Sequence, residues 1–367
     1  MGKLLAVLAF LCAKLVCNPT SIVTEGRMEI WNSRCVVAVA TRGSYRLIQA
    51  MDEERGRAIR DAVPVTALLL LCFLWSLGSL RSDLMPTIFA AGLPTFEREA
   101  MHLGALALVA GLIALVVQAE WPRGRQLWDA VLIGVGLFVV PALLGEASRD
   151  SIPDLTRVAL YSLAPVFAVA FEPYLGRLTE SQSKGSLLAA LGCVLGTLGV
   201  FPLLIPRTLG GAGAFCTIIL AVACVAATNC WAVRFISELP QQSGAATAAI
   251  AGATAAVALG VASLVSEQPA WNGPIIGPEI AWTTVVELPA LLLLFWLMRR
   301  MSAVRMTTRF VVAPLIVNVV GFLVLRPSLR LRAGLGILLV AASAGWLLSG
   351  REEEAEAGPL PLNLKRN

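Results

Sequence analysis

The chain has 367 residues, 57% of them hydrophobic and only 14% charged, with a mean hydropathy of +0.77. A soluble domain of that length needs far more polar surface, so lipid must be the outer solvent and a water-soluble globular protein is excluded. The formal charge of +5, from 29 Lys and Arg against 24 Asp and Glu, is scattered along the chain, which excludes a nucleic-acid partner.

In chain order, residues 1–50 fit no membrane span cleanly. MGKLLAVLAFLCA begins like a signal peptide, yet Lys14 interrupts the apolar run and no small-x-small cleavage site follows. From Met51, MDEERGRAIRDAVP reads as a cytoplasmic lead into a first span, so 1–50 are expected to be an N-terminal extension, either an over-extended start or a weakly ordered segment. Ten apolar stretches follow, each close to the ~20 residues that cross a hydrocarbon core. They cover about 63–80, 100–119, 127–145, 156–175, 186–205, 209–232, 245–265, 276–298, 307–325 and 331–349. The runs are continuous rather than alternating, so the expected fold is an all-α polytopic membrane protein and not a barrel. The tail REEEAEAGPLPLNLKRN (351–367) reads as charged, solvated and cytoplasmic. With 51–62 in the cytoplasm, that side collects 15 Lys and Arg, four of them in 299–309 (Arg299, Arg300, Arg305 and Arg309), against eight on the other, which places both ends inside.

Sliding the chain against itself pairs Ala164-Pro165 with Ala313-Pro314, 149 positions on, and the same offset relates Arg177 to Arg326 and Gly185 to Gly334. Each copy then runs into a Gly-rich apolar span. The pairing predicts a five-helix repeat over 51–205 and a second over 206–350, and an odd number of spans inserts the second copy upside down.

Polar residues inside the spans are the candidate site. Glu287 lies in VVELPALLLL (285–294), at the middle of the eighth span, where a charge costs about 2.5–3.5 kcal/mol. Pro289 cannot donate a backbone hydrogen bond and crowds the carbonyl of Val285, so the helix should be kinked beside the carboxyl group. Broken helices belong where they line protein or water. Glu287 is therefore expected to face a central cavity, with proton coupling as an option and a helix-pinning glutamate as the alternative. Asn229 and Asn318 can bond either solute or a neighbouring helix. Tyr161 stands near Pro165 on the fourth span, Glu172 is read as lying near the interface, and Trp75 and Trp231 are stacking candidates. Pro165, Pro289 and Pro314 are candidate hinges. The single histidine, His102, reads as an interfacial residue. The eight cysteines lack C-x-x-C spacing, so no metal, cofactor or catalytic residue is expected. Gly244, Ala248, Gly252, Ala256 and Gly260 recur every four residues and predict a close-packing ridge on the seventh span.

ALYSLAPVFAVAFEPYLG (159–176) and VVAPLIVNVVGFLVLRP (311–327), with CFLWSLGSL (72–80) and GAFCTIILAVACVAATNCWAVRFI (213–236), resemble the ten-helix EamA-like members of the drug/metabolite transporters. The resemblance implies a secondary transporter of the bacterial inner (plasma) membrane, moving a small organic solute by alternating access, with a homodimer as an option. Where that family often carries Gly-Glu after each fourth span, this chain has Gly176-Arg177 and Leu325-Arg326, which leaves the solute unassigned. Two other readings stay open: a membrane enzyme acting on a lipid-linked substrate, and a scaffold that has lost transport.

Overall fold

In a computed structural model the described residues are 62–81, 93–175, 180–201, 209–240, 242–267, 273–325 and 331–349. The extension 1–50 and the tail 351–367 lie outside them. The described residues form ten helices joined by short connections. The helices are α1 (Ala62–Arg81), α2 (Thr95–Val116), α3 (Arg125–Ala147), α4 (Asp154–Leu175), α5 (Glu180–Val200), α6 (Leu209–Glu238) and α7 (Ser243–Ser266). After these come α8 (Gly273–Trp282, Thr283–Glu287 and Leu288–Met298), α9 (Ala303–Thr307 and Arg309–Leu325) and α10 (Leu331–Ser349). Nine are long and apolar enough to cross a membrane, and α5 carries a shorter apolar run, Gly185–Val200. Leu108 on α2, Leu188 on α5, Val257 and Leu264 on α7 and Leu338 on α10 are each at least 67% exposed. Surfaces of this kind require an apolar solvent, so this is a multi-pass integral membrane protein.

The helices group into two compact units, Met1–Ala130 with Leu239–Met301, and Val131–Glu238 with Ser302–Asn367. Each draws helices from both halves of the sequence. In the first unit α2 and α7 pack along much of their length. Gly104 stands opposite Ala256 and Gly111 opposite Ala249, so the two helices run antiparallel. At the crossing, a Cβ on Gly252 would come within 3.0 Å of the Leu103 carbonyl oxygen and 3.2 Å of the Ala107 nitrogen. The small-residue ridge thus makes its tight contact at the centre, whereas Gly244 and Gly260 at its ends meet open space. Beyond α7, the Glu267 carboxylate accepts the Phe96 and Glu97 backbone N–H groups at 2.9 and 3.2 Å, capping the start of α2. The other end of α2 closes with Gln118 at φ 51°. The Ala119 N–H donates to the Ala114 carbonyl at 2.8 Å and the Gln118 N–H to the Leu115 carbonyl at 3.2 Å, a Schellman arrangement.

In the second unit α5 and α10 cross in the same manner. Gly192 faces Ser343, Gly196 faces Val340, and Gly199 faces Gly336. The backbones meet so closely that a Cβ on Gly196 would lie 2.8 Å from the Val340 nitrogen and 2.9 Å from the Gly336 carbonyl oxygen. Helix α6 packs on α3 and α4. Ile218 and Val222 join Ile152, Leu160 and Ala164 in a buried cluster that Tyr161, Phe215 and Phe310 border.

Four helices are irregular at prolines. Pro141 and Pro289 each lie two residues beyond a five-residue π-helical turn, Val135–Val139 in α3 and Thr283–Glu287 in α8. The wider turn lets the Leu288 N–H reach the Thr283 carbonyl and relieves the clash a proline ring would make in a regular helix. Upstream of Pro165, α4 breaks at Ser162–Leu163, where the Leu163 N–H tightens onto the Leu160 carbonyl at 3.0 Å. Upstream of Pro314, α9 breaks at Thr308, whose hydroxyl donates to the Arg305 carbonyl at 2.6 Å. The three candidate hinge prolines therefore all stand beside irregular backbone, and Pro141 is a fourth that the sequence reading did not single out.

Candidate functional site

Glu287 is the last residue of the α8 π turn, and the widened turn sets its side chain toward α1. Its Oε1 accepts a hydrogen bond from Trp282 Nε1 at 3.2 Å. On α1, a Cβ at Gly78 would stand 2.9 Å from that oxygen, so the absence of a side chain there leaves room for the carboxylate. Leu74 and Leu77 pack on Trp282 and Val286 and hold α1 against α8. Trp75 is half-buried on the same stretch of α1.

Further along α1, Arg81 Nη1 donates to Glu279 Oε2 at 2.8 Å, with both side chains buried. The second oxygen of Glu279 is buried and accepts no hydrogen bond among the described residues. The first turns of α2 add Arg98, Glu99 and His102. Glu99 feels the charges of Arg98, Arg81 and Glu279, while Glu287 feels those of Glu99, Arg81 and Arg98. His102 lies within reach of Arg98 and Arg81. It is 4% exposed, and its Nε2 has no hydrogen-bond partner among the described residues. Six ionisable side chains from α1, α2 and α8 thus gather in the first unit: Arg81, His102 and Glu279 are buried and Glu287 is half-buried, whereas the Arg98 and Glu99 side chains are 28% and 41% exposed.

The second unit holds the other candidates. Asn229 on α6 is fully buried, donating to the Val225 carbonyl at 2.7 Å and accepting from Arg309 Nη2 at 2.9 Å. Arg309, counted from sequence among the loop charges before α9, is 2% exposed. It also donates to the Met306 carbonyl and lies 4.6 Å over the Phe310 ring. Asn318 turns back on its own helix, donating to the Pro314 carbonyl at 2.8 Å. Tyr161 packs on Phe310 with ring centroids 5.7 Å apart. Trp231, beside Cys230, is 38% exposed. Glu172 is buried at 6% exposure and so lacks the solvation expected near the interface, and its Oε2 accepts from the Cys230 thiol at 3.6 Å.

The structure therefore brings Asn229 and Tyr161 close to the same pair of α9 residues, Arg309 and Phe310, and places Trp75 and Glu287 in the first unit. Arg81, Arg98, Glu99, His102, Glu279 and Arg309 are the residues that sequence reasoning missed. All but Arg309 stand at or near a span end, where a charge ordinarily reaches water. Their signal was pairing by sign, because Arg81 has an acidic counterpart, Glu279, near the start of the eighth span, and Arg98 has Glu99 beside it. Among the described residues no group of three or more His, Cys, Asp or Glu is arranged to hold a metal ion.

No family model and no curated protein matches the chain. A solved structure described only as "Crystal structure of protein" superposes with a TM-score of 0.62 at 16% identity, covering 78% of this chain and 98% of its own. At that identity the two chains share a fold, and the likeness carries nothing about function.

Proposed function

We propose that the protein is a secondary transporter in which two oppositely inserted five-helix copies carry a small organic solute across the membrane by alternating access. The observation that carries this reading is that repeat-equivalent parts touch one another. Tyr161 and Phe310 are separated by the same 149 positions as the duplicated Ala-Pro pairs, and their rings are in contact. A five-span repeat makes α2 equivalent to α7 and α5 to α10, and each of these pairs crosses antiparallel on small residues. Elements that lie on a two-fold axis meet their own counterparts, which supports an internal inverted symmetry. The third helix of each copy also carries the same π turn two residues before a proline, 148 positions apart.

The copies differ where the chemistry is. Val139 of α3 occupies the place of Glu287 in α8, so the acidic group is confined to one copy. A transport site with one titratable group at mid-membrane can couple solute to protons, and the α1–α2–α8 cluster supplies the polar lining such a path requires. On the expected topology both chain ends face the cytoplasm of a bacterial cell and the protein resides in its inner membrane. Comparing metabolites exported by cells with and without the protein would identify a solute, and its flux into proteoliposomes would then be measured across a pH series. Flux is expected with the native protein, with a pH response that Glu287→Gln removes. No flux of any solute enriched in the export comparison would overturn the transport reading.

A further inference from the structure

The Glu287 carboxylate is held by a geometry that a regular helix does not provide. In an α-helix the side chains of residues i and i+5 point about 140° apart and do not meet. In a π turn, whose hydrogen bonds run between residues five apart, residue i+5 takes the place that i+4 has in an α-helix. Trp282 and Glu287 are such a pair. The turn Thr283–Glu287 follows Trp282 and is closed by the Leu288 N–H on the Thr283 carbonyl, and Trp282 Nε1 donates to Glu287 Oε1 at 3.2 Å. The turn does not depend on that bond. In α3, Val135–Val139 makes the same π turn two residues before Pro141, with Gly134 and Val139 at the places of Trp282 and Glu287. The proline is common to both helices, so the backbone forms for its sake and the indole–carboxylate bond is an addition in α8.

The facing helix is shaped to receive the carboxylate. Leu74, Leu77, Gly78 and Arg81 recur at helical spacing along one side of α1. Leu74 and Leu77 pack on Trp282 and Val286, and Arg81 pairs with Glu279 one turn before Trp282. Gly78 stands opposite Glu287, where a Cβ would come within 2.9 Å of Oε1. The indole N–H and the gap at Gly78 therefore fix the same oxygen. Arg81, Arg98 and Glu99 act on the carboxylate through their charges, whereas Oε2 takes part in no hydrogen bond among the described residues.

We infer that Trp282 is a positioning residue for Glu287: the indole commits Oε1 to the protein, in the space that Gly78 leaves, and Oε2 is the oxygen that meets the transported solute. The inference rests on the transport reading for what Oε2 meets, and not for the placement of the carboxylate.

The test is magnetic resonance of the indole N–H groups in the purified full chain, with the Trp282 signal assigned by its loss in Trp282→Phe. Glu287→Val, which copies the residue of α3, and Gly78→Ala, which fills the gap, are each expected to move that signal upfield and to quicken exchange of its proton with water. Glu287→Gln keeps an accepting oxygen and should move it less than Glu287→Val does. Gly78→Ala presses on the mobile end of a side chain and not on backbone, so it should keep the native melting temperature within a few degrees, as should Trp282→Phe. In proteoliposomes Trp282→Phe and Gly78→Ala should each lower flux severalfold, and the double variant should lose no more than the weaker single one, because both act through one carboxylate. A Trp282 signal that is the same in native, Glu287→Val and Gly78→Ala protein, native flux in Trp282→Phe, or losses that multiply in the double variant would each overturn the inference. A responsive Trp282 signal without flux of any solute would remove the transport reading and leave the carboxylate's placement standing. Flux with an unresponsive signal would do the reverse.

Discussion

Arg81 and Glu279 illustrate how a single pair is constrained in this protein. Both side chains are buried, their contact is 2.8 Å, and 198 positions of sequence separate them. Removing one partner leaves an uncompensated buried charge, at a cost of about 3–5 kcal/mol, whereas replacing both with apolar residues of similar volume is close to neutral. Arg81→Met should therefore lower the unfolding midpoint in detergent strongly, and Arg81→Met with Glu279→Met should recover most of the loss. Equal destabilisation by the single and the double variant would show that the pair is not what holds α1 to α8. Glu287, half-buried against α1, was legible in the sequence, because a charge in the middle of an apolar run stands out from its neighbours. Arg81 was not, since a guanidinium at a span end can snorkel to water equally well, and only the partner chain segment decides otherwise. Arg309 was misread for the same reason. It was counted with Arg299, Arg300 and Arg305, and the acceptor that draws it inward, Asn229, lies on α6.

At the scale of helices, lipid offers little hydrophobic drive for one helix to leave solvent and join another, so close backbone approach has to supply the attraction. The α5–α10 and α2–α7 crossings meet that requirement with glycine at the points of nearest contact. Gly196→Ala places a methyl group against backbone atoms of α10 and is expected to cost about 1–3 kcal/mol, since neither backbone can yield without moving its helix. Gly260→Ala meets nothing within 4 Å and should be neutral or stabilising by up to about 1 kcal/mol through helix propensity. The difference between these two variants, read as melting temperature in one detergent, tests whether the glycines act through packing. A period of four announced the α7 ridge from sequence. It could not say that only the centre of the ridge is in tight contact, because crossing angle limits how many residues of a straight ridge two helices can share.

For the whole molecule, the expected topology makes a prediction independent of solute. Single cysteines at Arg123 and Arg300, both exposed, should be labelled by an impermeant maleimide only from the cytoplasmic side, and one at exposed Asp150 only from the opposite side, in a background with the native cysteines replaced. Labelling of 123 and 150 from the same side would contradict a crossing by α3 and with it the inverted arrangement. Composition alone determined that the chain lives in a membrane and is all-helical, because an unpaired backbone group has no partner in hydrocarbon and a run of about 20 apolar residues has no other stable form there. The sequence by itself also located the two Ala-Pro pairs 149 positions apart and the half-buried acid of the eighth span, since these are local violations of an otherwise uniform pattern. Only the tertiary structure decided which charges sit together. Burial of an ionisable group depends on whether a counter-charge arrives from a distant helix, and that information resides in the packing of α1, α2 and α8, not in any one of them.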